Sequence, residues 1–363
     1  MSTLAGSIWR MNSRQRPHGG TTCTGPSPRQ TATIFAILYS RAVTIAAMAA
    51  CSAQKPNHGI SRACETAVVD ESYVELNGVR QWVRVVGDLR GRTPVVVVHG
   101  GPGGFVYDFE RLTGPGLEQL GPVVYYEQRG SGRSDGDGRY AVPLLVDDLE
   151  QLRRHLGLPR IVLLGISFGG DLAAEYTVAY PDRVAGLILQ GTALAGPLTP
   201  STWGSGFEAV AADDEMRAAI RGAVAESGPG AVWDVVDRET VDRFLFRRPA
   251  AARRVRELWE ESGLINTGEM AAALAAEPPR RVPLVDELAA LDVRVLVLVG
   301  FWDRNAGVDA CRDLATRLPQ AQLRVFGESA HFPNVEEPDR YLAEVAAFTA
   351  ADALFLAGEA FPG

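Results

Sequence analysis

The chain has 363 residues, of which 46% are hydrophobic and 22% are charged, a composition typical of a folded globular protein. This excludes a disordered, collagen-like or coiled-coil chain, and the formal net charge of −8 argues against nucleic acid as the main partner. The length predicts about two domains, or one large α/β domain with an insertion. The four cysteines are scattered without a CxxC pair, which excludes the common zinc patterns and an obvious disulfide framework.

The first 65 residues differ from the rest, because no Asp or Glu occurs before Glu65. Residues 31–50 are mostly apolar, but Arg41 interrupts them, so this stretch is a poor candidate for a membrane span. The segment after Arg41 has the length of a signal-peptide core and ends in Met48-Ala-Ala-Cys51, which resembles a bacterial lipobox. We therefore expect an exported protein, either secreted or anchored to a membrane by lipid on Cys51. Two alternatives stay open: a disordered leader on a cytoplasmic protein, and an organelle transit peptide.

Two strands around an Asn77-Gly78 hairpin turn open the folded part, at Tyr73–Leu76 and Val79–Val86. Short apolar runs then alternate with helix-like segments, a pattern typical of parallel strands that are buried on both faces. The apolar runs are 94–98, 123–126, 161–164, 187–189 and 293–299, and the helix-like segments are 144–156, 168–179, 308–318 and 339–356. The sequence therefore predicts an α/β fold with a doubly wound, mostly parallel sheet.

Residues 193–288 break this alternation, because they are rich in Ala, Arg and Glu and contain no clear strand-like run. Such a stretch is too long for a structureless loop in a compact domain, so we expect an inserted helical cap. The predicted organisation is a leader over 1–65, the first part of the core over 66–192, the cap over 193–288 and the second part of the core over 289–363.

The sequence Gly165-Ile-Ser167-Phe-Gly169 lies between a predicted strand and a predicted helix. A G-x-S-x-G motif in this context forms a sharp turn that exposes the serine oxygen above the sheet. We therefore predict that Ser167 is a catalytic nucleophile. The alternative is a turn with a purely structural role.

A serine nucleophile needs a base, which is usually a histidine. His331 is the best candidate among the five histidines, because it lies in a loop shortly after the strand-like segment 323–326. A loop histidine without a catalytic role is the alternative. The others fit less well: His18 and His58 in the leader, His155 within a predicted helix, and His99 at the start of a glycine loop, where a structural hydrogen bond is expected.

The base needs an acid to orient it, and in this fold class the chain order is nucleophile, acid, histidine. Asp303 follows the predicted strand 293–299 at its carboxyl end, where ligands bind in open α/β sheets. We predict Asp303 as the third catalytic residue, with Asp309 and Glu328 as competitors. A role for Asp303 as a helix cap only is the alternative.

The glycine-rich segment His99-Gly-Gly-Pro-Gly-Gly104 directly follows a predicted strand. Glycines there allow backbone N–H groups to face a developing negative charge, and we predict an oxyanion hole formed by the amides of Gly101 and Phe168. A phosphate-binding loop is disfavoured, because no Lys follows and the G-x-G-x-x-G spacing is absent. The predicted chemistry uses no metal and no organic cofactor.

These motifs together resemble the α/β-hydrolase superfamily over about residues 70–355. Within it, His99-Gly-Gly-Pro-Gly103 and Gln128-Arg-Gly-Ser-Gly-Arg-Ser134 resemble the proline iminopeptidase family of serine aminopeptidases. Glu127 stands where members usually have Asp, and Gly165-Ile-Ser-Phe-Gly169 stands where they often have Gly-Gly-Ser-Trp-Gly-Gly. The resemblance implies an aminopeptidase that releases an N-terminal residue, with proline as first candidate.

That family binds the free N-terminus of its peptide with acidic residues of the cap. Trp259-Glu260 resembles its cap motif ending in Trp-Glu, which implies a substrate-binding role for Glu260, with a solvated helix face as the alternative. The second acidic motif of the family, Glu followed by His-Tyr-Phe, has no match between Glu261 and Val293, which argues against strict prolyl specificity.

Three functions therefore stay open: an aminopeptidase, a small-molecule esterase or amide hydrolase with the same triad, and a hydrolase-fold binding protein without catalysis. The expected partner of either enzyme is a small peptide, ester or amide substrate, with no nucleic acid. Association with a membrane is expected only through lipid on Cys51.

Overall fold

The computed structural model describes residues 69–194, 203–278 and 280–356. The leader over 1–65, including Cys51, lies outside these described residues, so export and lipidation stay predictions. Within the described ranges, no helix combines the length and the apolar character needed to cross a bilayer.

An eight-stranded sheet forms the centre of the fold, with the strand order β1-β2-β4-β3-β5-β6-β7-β8. The strands are β1 (Val69–Leu76), β2 (Val79–Val86), β3 (Val95–Val98), β4 (Val123–Tyr126), β5 (Ile161–Ile166), β6 (Val184–Gln190), β7 (Val295–Gly300) and β8 (Ala321–Phe326). Strands β3 to β8 are parallel, whereas β2 pairs antiparallel with both β1 and β4. The predicted α/β fold with a mostly parallel sheet is confirmed.

The hairpin at the edge of the sheet turns at Asn77 and Gly78, which both have positive φ, of 47° and 80°. Positive φ at both central residues is the geometry that an Asn-Gly hairpin turn requires. Strand β1 begins at Val69, four residues before the predicted start, because Val69 pairs with Val86 at the far end of β2. The first residues of β1 are exposed, so no apolar alternation marks them in the sequence.

Helices cover both faces of the sheet. They are α1 (Tyr107–Leu112), α2 (Gly114–Leu120), α3 (Val142–His155), α4 (Phe168–Ala179), α5 (Trp203–Glu208), α6 (Asp214–Ser227), α7 (Val232–Val235), α8 (Arg238–Leu245), α9 (Pro249–Ser262), α10 (Glu269–Ala275), α11 (Leu284–Ala289), α12 (Val308–Arg317), α13 (Pro333–Glu336) and α14 (Pro338–Leu356). Helices α1 and α2 were not predicted, because six and seven residues form fewer than two turns, too short a window for an apolar repeat to be recognised.

Successive residues of the central strands pack into different cores. On β5, Leu163 belongs to the apolar layer formed with α3, α4 and α12, whereas Leu164 belongs to the layer formed with α1, α2 and α14. A parallel strand that is buried on both faces needs apolar residues throughout, which explains the continuous apolar runs in the sequence.

The helices between β6 and β7 have an apolar cluster of their own. Phe207, Ile220, Val232 and Phe244 are fully buried in it, and the rings of Phe207 and Phe244 are stacked with centroids 3.8 Å apart. These helices occupy the part of the chain where the sequence predicts a cap, and the described residues between β6 and β7 form no strand.

Candidate active site

The candidate nucleophile turn, residues 165–169, joins β5 to α4, with Ser167 between the strand and the helix. Ser167 has φ of 53° and ψ of −125°, a left-handed conformation that costs a non-glycine residue free energy. The two neighbouring positions, 165 and 169, require glycine because the surrounding backbone leaves no room for a side chain. A Cβ on Gly165 would lie 2.4 Å from the Gly169 oxygen, and a Cβ on Gly169 would lie 2.1 Å from the Val98 oxygen. This is the strained, close-packed turn expected of a G-x-S-x-G nucleophile.

The structure brings His331 and Asp303 together. The Nδ1 atom of His331 lies 3.0 Å from Oδ2 of Asp303, and both side chains are buried. The other carboxylate oxygen of Asp303 accepts hydrogen bonds from the backbone N–H groups of Asn305, at 2.8 Å, and Ala306, at 3.1 Å. Asp303 is thus fixed by its own turn. It can hold the imidazole with Nδ1 protonated, as the carboxylate of a catalytic triad does.

Ser167 and His331 both lie against the carboxyl end of β6. The N–H of Ser167 donates to the Gln190 oxygen at 2.8 Å. The next residue, Gly191, has a φ of 60°, and a Cβ there would lie 2.9 Å from both Nδ1 and Cε1 of His331. The imidazole therefore packs on the backbone next to the residue that holds the nucleophile turn.

The two competing acids lie elsewhere. Asp309 is exposed on α12 and pairs with Arg312 at 2.9 Å. Glu328 is also exposed and pairs with Arg247. Asp303 is therefore the candidate acid that contacts His331.

The glycine loop after β3 lies against the nucleophile turn. A Cβ on Gly100 would be 3.0 Å from Cβ of Ser167, and Gly101 has a φ of 132°, which favours glycine. The loop is held from outside by Asn266, whose Nδ2 donates to the Pro102 oxygen at 2.7 Å. The glycine loop and the start of α4 therefore lie next to each other, as an oxyanion hole with one donor from each segment requires. Gly101 and Phe168 remain the predicted donors.

His99 has the structural role that the sequence favours for it. Its Nδ1–H donates to the Gly100 oxygen at 2.8 Å, and its Nε2 accepts from the N–H of Gln128 at 3.0 Å. Burial lowers the pKa of His99, which favours the neutral form that these two hydrogen bonds need.

Glu127 joins the second glycine-rich motif, Gln128–Ser134, to the residue that precedes α1. This buried carboxylate pairs with Arg133, whose Nη2 lies 2.8 Å from Oε1, and accepts from the N–H of Val106 at 3.2 Å. A Cβ on Gly132 would lie 2.3 Å from Glu127 Oε2, so glycine is required there. Glu127 therefore ties the motif to the start of α1.

Glu260 is half-exposed on α9, and its carboxylate pairs with Arg238 at 3.4 Å. The neighbouring Glu261 accepts a hydrogen bond from the Tyr107 hydroxyl at 2.9 Å. Substrate binding by Glu260 requires that the ion pair with Arg238 open or be shared.

Sequence reasoning missed two asparagines at this site. Asn305 contacts His331 through Nδ2, at 3.2 Å from Nε2, and Asn266 supports the glycine loop. Neither lies in a motif, and the position of Asn305 two residues after Asp303 is the one available signal. Among the residues that the structure describes, no group of three or more His, Cys, Asp or Glu side chains could hold a metal ion.

Comparison with known proteins identifies relatives over most of the chain. The family model described as alpha/beta hydrolase fold matches residues 93–338. Proline iminopeptidase from Heyndrickxia coagulans is 26% identical over 293 residues, which cover 77% of this chain and 98% of that protein. A solved proline iminopeptidase-related protein from Thermus thermophilus has a TM-score of 0.62 at 26% identity, covering 78% of this chain and 98% of that one. A thermophilic esterase from Thermogutta terrifontis has a TM-score of 0.59 at 26% identity, with the same coverage.

Proposed function

This chain belongs to the α/β-hydrolase family, and we propose that it is an aminopeptidase that releases an N-terminal residue, with proline as first candidate, from small peptides. The observation that carries the proposal is that Ser167 is hydrogen-bonded to the end of β6 and the His331 ring packs against the next residue, with Asp303 3.0 Å from the imidazole. The similarity to proline iminopeptidase over 98% of that relative supports the substrate class.

The reaction proceeds through an acyl-enzyme. Nε2 of His331 takes the proton of the Ser167 hydroxyl, and the serine oxygen attacks the carbonyl carbon of the first peptide bond. Asp303 keeps the proton on Nδ1 and stabilises the imidazolium that forms. The amides of Gly101 and Phe168 donate to the oxyanion, and His331 then protonates the leaving amine. Water hydrolyses the ester on Ser167 by the same steps.

Recognition of the substrate amine falls to a carboxylate of the helices between β6 and β7, for which we propose Glu260. A positively charged N-terminus competes with Arg238 for this carboxylate. The matched control is Glu257, which lies one turn earlier on α9 and makes a similar exposed pair with Arg254 at 3.3 Å. Glu260→Gln should raise KM for a free aminoacyl substrate, whereas Glu257→Gln should leave it unchanged.

A panel of substrates tests the function. Prolyl- and alanyl-naphthylamide are compared with N-acetylprolyl-naphthylamide and with short acyl esters. We expect faster cleavage of the free than of the acetylated prolyl substrate, and loss of activity by several orders of magnitude in Ser167→Ala. Equal rates on free and acetylated proline would reject recognition of the amine. Retained turnover in Ser167→Ala would reject the mechanism.

A small-molecule esterase or amide hydrolase is the second candidate. The ion pair between Glu260 and Arg238 favours it, because this pairing neutralises the carboxylate proposed to bind an amine. The similarity to a solved esterase is also consistent with it. In the same panel, this function predicts that acyl esters are cleaved faster than every aminoacyl-naphthylamide.

A further inference from the structure

The side-chain amide of Asn305 lies between the candidate base and the helices that precede β7. Its Nδ2 is 3.2 Å from Nε2 of His331, and its Oδ1 is 2.6 Å from the indole Nε1 of Trp203, the first residue of α5. Helix α5 packs closely on the same turn, because a Cβ on Gly206 would lie 2.9 Å from the Arg304 oxygen. Asn305 therefore bridges α5 and the catalytic histidine.

The chemistry of the three groups fixes the direction of both hydrogen bonds. An indole N–H can only donate, so the oxygen of the Asn305 amide faces Trp203. The NH2 group then faces His331, and Nε2 has to accept with its lone pair. This requires the proton of the neutral imidazole to be on Nδ1, where it is donated to Asp303. The Asn305 orientation that Trp203 sets thus matches the tautomer that Asp303 itself imposes on His331.

The same hydrogen bond competes with catalysis. A neutral imidazole has one lone pair, on Nε2, and the Ser167 hydroxyl needs it in order to be deprotonated. After proton transfer, Nε2–H would face the NH2 group of Asn305, so two donors would oppose each other. Rotating the amide by half a turn would relieve this, but it would turn NH2 towards the donor-only indole of Trp203.

We propose that Asn305, oriented by Trp203, is a positioning residue that occupies Nε2 of His331 in the substrate-free enzyme and has to release it before Ser167 reacts. This inference rests on the proposed roles of Ser167 and His331. Release requires the Asn305 side chain to separate from Trp203 or from His331. A substrate that displaces α5 therefore makes the base available, which couples occupancy of the site to reactivity of the nucleophile.

The rate at which a small fluorophosphonate labels Ser167 in the full-length protein tests the proposal. Asn305→Ala removes the competing donor, and the second-order labelling rate constant should rise about fivefold, the equivalent of one hydrogen bond between neutral groups. Trp203→Phe keeps the ring but removes the indole N–H, so the amide can turn away and the rate should also rise. Trp233→Phe is the matched control, because Trp233 packs edge-on against Trp203 in the same cluster, and it should leave the rate unchanged.

The sign of the effect separates this role from simple structural support. If Asn305 only held His331 in place, its loss would slow the labelling of Ser167. A slower or unchanged rate in Asn305→Ala, with an unchanged melting temperature, would overturn the proposal, and Trp203→Phe answers the question if Asn305→Ala does not fold. Absence of labelling at Ser167 in the wild-type protein would instead reject the proposed function.

Discussion

The guanidinium of Arg129 and the carboxylate of Asp148 form a two-point ion pair inside the protein. Nε lies 2.6 Å from Oδ2 and Nη2 lies 2.8 Å from Oδ1, and the side chains are 0% and 2% exposed. The same carboxylate accepts from the amides of Asn77 and Gln81. One buried acid on α3 thus joins the β1–β2 hairpin to the loop after β4, which carries the second glycine-rich motif.

Removing the basic partner should be strongly destabilising. Arg129→Ala leaves the Asp148 carboxylate buried without its counter-ion, and we expect a loss of about 3–5 kcal/mol in the free energy of unfolding. The control is Arg80→Ala, because Arg80 and Asp135 pair at the surface with 62% and 54% exposure and should contribute less than about 1 kcal/mol. Urea denaturation measures both values. A loss in Arg129→Ala as small as in the control would contradict this interpretation.

Asp303→Asn should abolish most of the activity and leave the fold intact. An amide can still accept the hydrogen bonds of the Asp303 turn, but it carries no charge to stabilise an imidazolium and it permits the wrong tautomer of His331. By analogy with triad enzymes we expect kcat to fall about 10⁴-fold. Asp309→Asn, on the exposed face of the next helix, is the control and should retain wild-type kcat. A modest loss shared by both variants would show that Asp303 is no triad member.

Gly165→Ala should disrupt the nucleophile turn. The added Cβ would lie 2.4 Å from a backbone oxygen, so the strand, the turn or both have to move, and we expect little folded protein. Gly222→Ala is the control: Gly222 lies inside helix α6 with no atom within 4 Å of an added Cβ, and alanine there should stabilise by about 0.5–1 kcal/mol. Melting temperatures report both effects, and a Gly165→Ala protein as stable as the wild type would contradict the packing argument.

Asp108 on α1 makes a pH-dependent contribution to stability. Burial raises the pKa of this carboxyl from 3.8 to about 6, although the Trp259 indole, which donates to it, opposes the rise. The unfolded chain therefore loses this proton at lower pH than the folded protein does. As pH rises from about 4 to above 6, the folded state loses stability relative to the unfolded state, and the loss persists at higher pH.

Asp108→Asn removes this penalty and retains an oxygen for the indole. We expect the variant to exceed the wild type in unfolding free energy at pH 8 by up to about 3 kcal/mol, and to match it at pH 3.5. Denaturation of both proteins at the two pH values gives the comparison. A difference between the proteins that is independent of pH would show that ionisation of Asp108 plays no part.

The sequence made the local parts of the site predictable. The glycines around Ser167 are required within a few residues of chain, since Gly165 and Gly169 approach each other directly. The carboxyl ends of parallel strands meet at one edge of the sheet, so the positions of Asp303 and His331 after β7 and β8 predict their proximity. The alternation of short apolar runs with helix-like segments likewise predicted the mostly parallel sheet, which the structure confirms.

Contacts between distant segments were not predictable in this way. Asn266 contacts Pro102, which is 164 residues away in the sequence, and Asn305 contacts Trp203, which is 102 residues away. Such contacts leave no periodic or spaced pattern, because each depends on how two segments pack. The exposed start of β1 is similar, since its strand conformation comes from pairing with β2 rather than from its own apolar residues.

The parallel pairing of β6 with β7 has a consequence for the order of events during protein synthesis. The ribosome makes β6 and the nucleophile turn first, and all helices from α5 to α11 before β7 emerges. Until then the outer edge of β6 has no neighbour, and neither the proposed acid nor the proposed base of Ser167 has been made. A nascent or truncated chain that ends before β7 therefore exposes an edge of β6, a strand that is buried throughout in the finished sheet, and such an edge is a site for aggregation. A chain that ends before β8 also lacks His331, so the proposed triad is complete only after β8 and the loop that follows it have been made.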